Sequence, residues 1–114
     1  MPYLKLKTNL RVSETKSGLL FRDLSAAVSR ITGKPEEAVQ ASITGRAKMF
    51  MAGSEEPTAH VDVKGVEFSE ELVEKMTREL CDIINDHLGI PGARVCFTFS
   101  SREGTIWGAD GRTL

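Results

Sequence analysis

The 114-residue chain lacks the features that mark several classes of protein. Its only cysteines, Cys81 and Cys96, form no CxxC pair and have no metal-type spacing, which argues against a disulfide scaffold, a zinc site and a dithiol redox motif. No apolar run approaches roughly eighteen residues and the N-terminus has no apolar core, so neither a membrane span nor a signal peptide is predicted. The predicted location is the cytoplasm, with secretion by a route that needs no signal peptide as the alternative.

The chain also lacks an excess of charge of either sign. It has 15 basic and 16 acidic residues, which leaves a formal net charge of −1. Because no basic surface is encoded, a nucleic-acid partner is not expected. A length of 114 residues predicts one domain, 1–114, with a core small enough that oligomerisation would help to stabilise it.

Hydrophobic periodicity predicts that strands and helices alternate along the chain. In the first segment Leu4 and Leu6 alternate with Lys5 and Lys7, which is the period of a strand with one wet face. Two longer segments have apolar residues at helical spacing, and each ends in a glycine with a proline shortly after it. The predicted strands are 3–9, 38–44, 59–64 and 94–100, with short candidates at 49–52 and 105–107, and the predicted helices run from 17 or 18 to 31 and from 69 to 88.

This order of elements predicts an α/β fold built from two βαβ units. Each helix-containing connection is long enough for the crossover that joins parallel strands. The prediction is therefore a four-stranded sheet with two helices on one face. The other face is expected to carry apolar or small residues with nothing to cover them, which predicts association into a closed ring.

Pro2 raises a question about the start of the first strand. Proline lacks a backbone N–H and is tolerated at the first residue of a strand, so it could simply begin one. Alternatively, removal of Met1 would make Pro2 an N-terminal secondary amine, which is a plausible general base near neutral pH.

Four segments together resemble the macrophage migration inhibitory factor family of the tautomerase superfamily. They are "MP" before a strand ending in "TN", then "TGKPEEAV", "MFMAGSEEPTAHVDV" and "LGIPGARVCFTF". The resemblance extends from Pro2 to Leu114. It implies a homotrimer around a central channel and a cofactor-independent keto–enol tautomerase acting on small acids of the phenylpyruvate type or on dopachrome-like compounds.

The resemblance also implies roles for three residues. Pro2 would be the catalytic base, Lys34 would bind the substrate carboxylate and lower the pKa of the proline, and the Val66 N–H would hydrogen-bond the substrate. Without the resemblance, Lys34 is a lysine near a helix C-terminus, where the helix dipole favours it. Val66 would then only pack beside the turn marked by Gly65.

Several positions depart from the family pattern as the resemblance aligns them. Gly65-Val66-Glu67-Phe68 stands where Ser-Ile-Gly-Gly is usual. Cys96 replaces a tyrosine, and Thr98, which is expected to bind substrate, replaces an asparagine that the neighbouring subunit contributes. Ala109 replaces a tryptophan, while Trp107 and Tyr3 could supply aromatic contacts with the substrate.

A metal site and other functions are weaker interpretations of the sequence. His60 and Asp62 alternate on one strand, but two ligands do not define a metal site, so no metal is expected. The main alternative function is a non-catalytic, cytokine-like trimer that binds a protein receptor or partner. Hydration or dehalogenation is a third possible function, but the sequence has no arginine–carboxylate pattern that supports it. The sequence fixes neither the natural substrate nor whether Met1 is removed.

Overall fold

A mixed four-stranded sheet organises the molecule, which the computed structural model describes over residues 2–102 and 106–113. Its strands are β1 (Tyr3–Thr8), β2 (Gln40–Thr44), β3 (Ala59–Val66) and β4 (Val95–Arg102), in the order β2-β1-β3-β4. Strands β1 and β2 pair in parallel, as do β3 and β4, whereas the central strands β1 and β3 are antiparallel. The predicted pair of parallel βαβ units is therefore present, and the units join through their first strands.

The two helices begin and end at residues with the expected capping chemistry. They are α1 (Glu14–Thr32) and α2 (Glu70–Leu88). The hydroxyls of Ser13 and Ser69 accept hydrogen bonds from main-chain N–H groups in the first turns, and Gly33 and Gly89 end the helices in the left-handed conformation. The predicted start of α1 at Ser17 or Gly18 was wrong, because the Ser13 cap begins the helix earlier. No described helix is long and apolar enough to cross a membrane.

The core lies between the two helices and one face of the sheet. Its fully buried side chains include Leu4 and Leu6 of β1, Leu20 and Leu24 of α1, Val61 and Val63 of β3, and Met76, Leu80 and Ile84 of α2. Burial of each such side chain stabilises the fold by roughly 1.5–3 kcal/mol. The alternation of strand residues and the helical spacing noted in the sequence place these side chains on one side of each element.

Two contacts between polar side chains connect the helices. Arg30 of α1 contacts Glu79 of α2 at 3.0 Å, and His87 of α2 contacts Asp23 of α1 at 2.7 Å. An earlier residue of α1 thus pairs with a later residue of α2, so the helices run antiparallel. Hydrogen bonds to Asp23, first from the Arg22 side chain and then from His87, hold the pKa of its carboxyl below the ordinary value.

The face of the sheet opposite the helices is polar, which corrects the expectation of apolar or small residues. Lys5 and Lys7 of β1 are exposed there, beside His60 and Asp62 of β3. Small side chains are confined to the outer strands, as at Ser42. The helices cover the apolar residues of the central strands, so the alternating polar residues necessarily point the other way. An uncovered apolar face therefore does not support association.

A long loop, 45–58, replaces the short strand predicted at 49–52. Its only ladder-type contact in the described chain is an isolated bridge between Met51 and Ser54. The Arg94 guanidinium donates hydrogen bonds of 2.9–3.1 Å to the carbonyls of Met51, Ser54, Glu56 and Pro57. The segment is therefore a loop whose main chain is anchored on the Arg94 side chain.

The end of the described chain forms a small hairpin. Its strands, β5 (Gly108–Ala109) and β6 (Arg112–Thr113), pair antiparallel across a turn in which Asp110 and Gly111 have positive φ. The tail strand predicted at 105–107 begins at Thr105, which lies outside the described residues. Ile106 and Trp107 are not in a strand, since pairing in the hairpin begins only at Gly108.

Candidate functional site

One cavity lies where the start of β1, the end of α1 and the turn between β3 and α2 meet. Its volume is about 110 Å³. The lining residues are Pro2, Thr32, Lys34, Val66, Glu67, Phe68 and Leu72. The fold therefore brings together three residues singled out in the sequence, Pro2, Lys34 and Val66, although they lie far apart along the chain.

Pro2 is buried and its position is fixed by the sheet. Its carbonyl accepts a hydrogen bond of 3.0 Å from the Gln40 N–H, at the first residue of β2. Since this bond extends the β1–β2 pairing by one residue, Pro2 cannot swing away from the cavity without breaking it. Both interpretations of Pro2, as a residue that begins a strand and as a catalytic base, are thus compatible with the fold, because Pro2 precedes β1 and also lines the cavity.

Lys34 reaches the cavity because α1 ends immediately before it. Gly33 adopts φ +74°, which turns the chain out of the helix. The Lys34 main chain is then fixed on both sides: its carbonyl accepts from the Ser29 hydroxyl at 2.6 Å, and its N–H donates to Thr32 Oγ1 at 3.3 Å. The side chain is exposed and makes no ion pair within the described part of the chain. Its ammonium is available to an anion.

The turn after β3 supplies the other side of the cavity. The Phe68 ring covers Gly65 so closely that a methyl group on Gly65 would lie 2.1 Å from a ring carbon. The Phe68 N–H donates to Ser101 Oγ at 2.9 Å, and its ring meets Phe99 edge-on with centroids 6.3 Å apart. These contacts fix the turn and therefore the positions of Val66 and Glu67.

Tyr3 and Thr98 do not line this cavity. Both lie on the polar face of the sheet, where the Tyr3 hydroxyl is 3.1 Å from Ser42 Oγ. Thr98 donates to Asp62 Oδ1 at 2.8 Å and lies 3.3 Å from His60 Nε2. Their predicted roles in substrate binding would require a second copy of the chain to present this face to the cavity.

Trp107 is also absent from the cavity lining, and its environment is unusual. Its indole N–H is buried, yet no described residue accepts a hydrogen bond from it. Buried donors normally have a partner. The neighbouring Ile106 is 60 % exposed. This segment therefore combines a buried donor that has no described acceptor with an exposed apolar side chain.

Four lining residues were not expected from the sequence: Thr32, Glu67, Phe68 and Leu72. Glu67 and Phe68 could have been found, because they are the two positions where the family pattern has glycines and this chain has large side chains. Thr32 and Leu72 gave no such signal, since each follows the periodicity of its helix. Among residues 2–102 and 106–113, no three His, Cys, Asp or Glu side chains are grouped so that they could hold a metal ion.

The cavity combines a buried proline, a free cation and a carboxylate. Proline offers a basic nitrogen only when Met1 is removed, and Lys34 offers a site for an anion. An amine base and a fixed cation suit proton transfer on a small acid substrate. None of these groups requires a metal or an electron carrier for such a step.

Comparison with known proteins gives one consistent result. The family model described as macrophage migration inhibitory factor matches residues 1–114. A D-dopachrome decarboxylase of Gallus gallus is 32% identical over 105 residues, covering 90% of this chain and 88% of the relative. A macrophage migration inhibitory factor homolog of Brugia malayi is 30% identical over 115 residues, covering 100% and 99%.

Solved structures agree with the family assignment. The crystal structure of a macrophage migration inhibitory factor homologue from Prochlorococcus marinus has a TM-score of 0.92 and 26% identity, and the match covers 97% of each chain. A second, from Entamoeba histolytica, has a TM-score of 0.91 at 18% identity over 99% of this chain and 98% of that one, and shows the shared fold. The resemblance found in the sequence is confirmed, and the chain belongs to the macrophage migration inhibitory factor family.

Proposed function

We propose that this protein is a cofactor-independent keto–enol tautomerase acting on small acids of the phenylpyruvate type or on dopachrome-like compounds. The observation that carries the proposal is the meeting of Pro2, Lys34 and Val66 around one cavity. Family membership supports it, and several relatives carry the name D-dopachrome decarboxylase. The base would be the Pro2 nitrogen, exposed by removal of Met1.

Burial and charge both favour a neutral amine at this position. Pro2 is buried, and Lys34 lines the same cavity. Each effect disfavours the protonated amine, so we expect the pKa of the freed nitrogen to lie below that of a hydrated terminus. A neutral nitrogen can take the proton of the enol hydroxyl and return a proton to C3, the carbon next to the one that bears this hydroxyl. The C=C bond is thereby lost, the carbonyl forms, and no oxidant or cofactor is consumed.

Lys34 and Val66 would stabilise the charge that develops on the substrate. The ammonium of Lys34 would bind the carboxylate, and the Val66 N–H would assist at an oxygen. The volume of about 110 Å³ is smaller than the roughly 150 Å³ that holds a benzene molecule in a protein interior. The oxo-acid head therefore fits inside, and an aryl group must extend through the opening.

The test is an enol–keto assay on protein whose loss of Met1 is verified by intact mass. Protein that retains Met1 has an amide at this nitrogen and should be slower by about 100-fold or more, because a positioned base typically contributes that much. Pro2→Gly, which after loss of Met1 has a primary amine in place of the ring nitrogen, should also be slower. Equal rates for protein with and without Met1 would refute the base assignment.

A parallel pair of variants tests the anion site. Lys34→Met should raise KM for a carboxylate substrate, because the variant keeps the length of the side chain but loses its charge. Lys75→Met, on the exposed part of α2, is the matched control and should leave KM unchanged. If both variants behave alike, Lys34 does not bind the carboxylate.

We also propose that the chain assembles as a homotrimer, as family membership implies. The large apolar side chain of Ile106, which is 60 % exposed, is available for contact with another chain. Analytical ultracentrifugation should give three times the mass of one chain. A monomer at every concentration would contradict the assembly.

A cytokine-like, protein-binding role is the second candidate function. The exposed Phe50, on the loop 45–58, favours it because a large apolar side chain there can contact a protein partner. Partner binding that survives chemical blocking of Pro2, in a protein that turns over no keto–enol substrate, would favour this role over catalysis.

A further inference from the structure

Glu67 has a backbone conformation that side chains normally avoid. Its φ is +56°, in the left-handed region where a Cβ atom crowds the following carbonyl oxygen. Strain of this kind persists only where the surrounding structure enforces it, and it is concentrated at functional sites. Glu67 lies on the turn between β3 and α2 and lines the same cavity as Pro2.

The neighbouring residue enforces this conformation. Phe68 is held by its N–H bond to Ser101, by its edge-on contact with Phe99 and by its close cover of Gly65. Glu67 precedes this anchored residue directly and cannot relax without moving it. The main chain of Glu67 is therefore held in place where it lines the cavity.

The charges on the rim are opposite and separate. Glu67 and Lys34 are both exposed and both line the cavity, yet neither makes an ion pair within the described ranges. A substrate whose carboxylate is bound by Lys34 must extend its remaining part out of a cavity of about 110 Å³. Because Glu67 lines the same cavity and is exposed, its carboxylate can approach that remaining part.

We propose that Glu67 is a specificity-determining residue, which selects 2-oxo acids whose distal group carries a positive charge or a hydrogen-bond donor. A second carboxylate at the distal end would be repelled. This inference rests on the proposed tautomerase function. It concerns the choice among substrates and leaves the chemistry at Pro2 as described above.

The experiment compares three substrates of similar size: phenylpyruvate and its para-aminomethyl and para-carboxy derivatives. For the wild type, kcat/KM should be higher for the aminomethyl than for the carboxy derivative by about fivefold, a moderate factor because the carboxylate is exposed. Glu67→Gln should remove most of that difference. Glu74→Gln, on the exposed part of α2, is the matched control and should preserve the difference.

A second variant guards against a folding defect in the first. Glu67→Gly removes the carboxylate and suits the positive φ, so it should fold at least as well and also lose the discrimination. The inference is overturned if wild type, Glu67→Gln and Glu67→Gly show the same ratio of kcat/KM values. Absence of turnover of all three substrates by the wild type would instead refute the proposed function itself.

Discussion

Replacing Gly65 with alanine would place a methyl group inside the volume of the Phe68 ring. The new Cβ would lie 2.1 Å from Cζ and 2.4 Å from Cε1 of that ring, well inside van der Waals contact. Because Phe68 is held by Ser101 and Phe99, the ring cannot move away freely. Overpacking of this kind costs about 1–3 kcal/mol.

Once the Phe68 ring is removed, Gly65→Ala should stabilise the fold instead of destabilising it. In a Phe68→Ala background the space beside Gly65 is open, and alanine is favoured over glycine within a strand by roughly 0.5–1 kcal/mol. The two substitutions should therefore be coupled by about 2 kcal/mol, as expected for residues in direct contact. The double variant should be more stable than the sum of the single changes indicates.

Urea unfolding of the wild type, Gly65→Ala, Phe68→Ala and the double variant measures this coupling. All four should be compared at one protein concentration, because assembly makes the unfolding midpoint depend on concentration. Gly65→Ala should also lower tautomerase activity, since Phe68 lines the cavity and would be displaced. Effects that add within about 0.5 kcal/mol would show that Phe68 does not occupy the space beside Gly65.

Three further predictions concern stability. Arg94→Met should destabilise the fold by about 2–4 kcal/mol and expose the loop 45–58 to proteases, because four hydrogen bonds to carbonyls are lost. Arg94→Lys should recover only part of the lost stability, because lysine lacks the planar fork of donors. Leu24→Ala, at a fully buried position of α1, should cost about 2–5 kcal/mol in urea unfolding. The Asp23 carboxylate, whose pKa is lowered first by Arg22 and then by His87, should contribute stability above about pH 4 that is lost as the pH falls through its folded-state pKa. In urea unfolding, Asp23→Asn should therefore be less stable than wild type near pH 6 and equally stable at the most acidic pH. Asp86→Asn, at an exposed position, is the control and should have the stability of wild type at both pH values.

Much of the fold could be predicted because it follows from local periodicity. Alternation in β1 and helical spacing in α1 and α2 depend only on which side of each element is apolar. Elements that depend on distant partners were predicted poorly. The segment 49–52 has strand-like composition, but it lies in the loop that Arg94 anchors, in part through the Met51 carbonyl, and no local pattern indicates a partner more than forty residues away.

The candidate site divides in the same way. Family resemblance singled out Pro2, Lys34 and Val66, and the structure places all three at one cavity, while their chemical roles stay predictions. The sequence could not show that Tyr3 and Thr98 lie away from the cavity. Both are on the polar face of the sheet, and the position of the cavity relative to that face is known only from the folded structure.

The sequence by itself determined the two βαβ units, the faces their helices bury and the family to which the chain belongs. Short-range spacing and recognisable segments are enough for each of these. Only the tertiary structure decided that Glu67 and Phe68 shape the cavity and that the open face of the sheet is polar. Both features depend on how separate elements pack, because close contacts such as that of Phe68 with Gly65 and Phe99 arise only when the chain is folded.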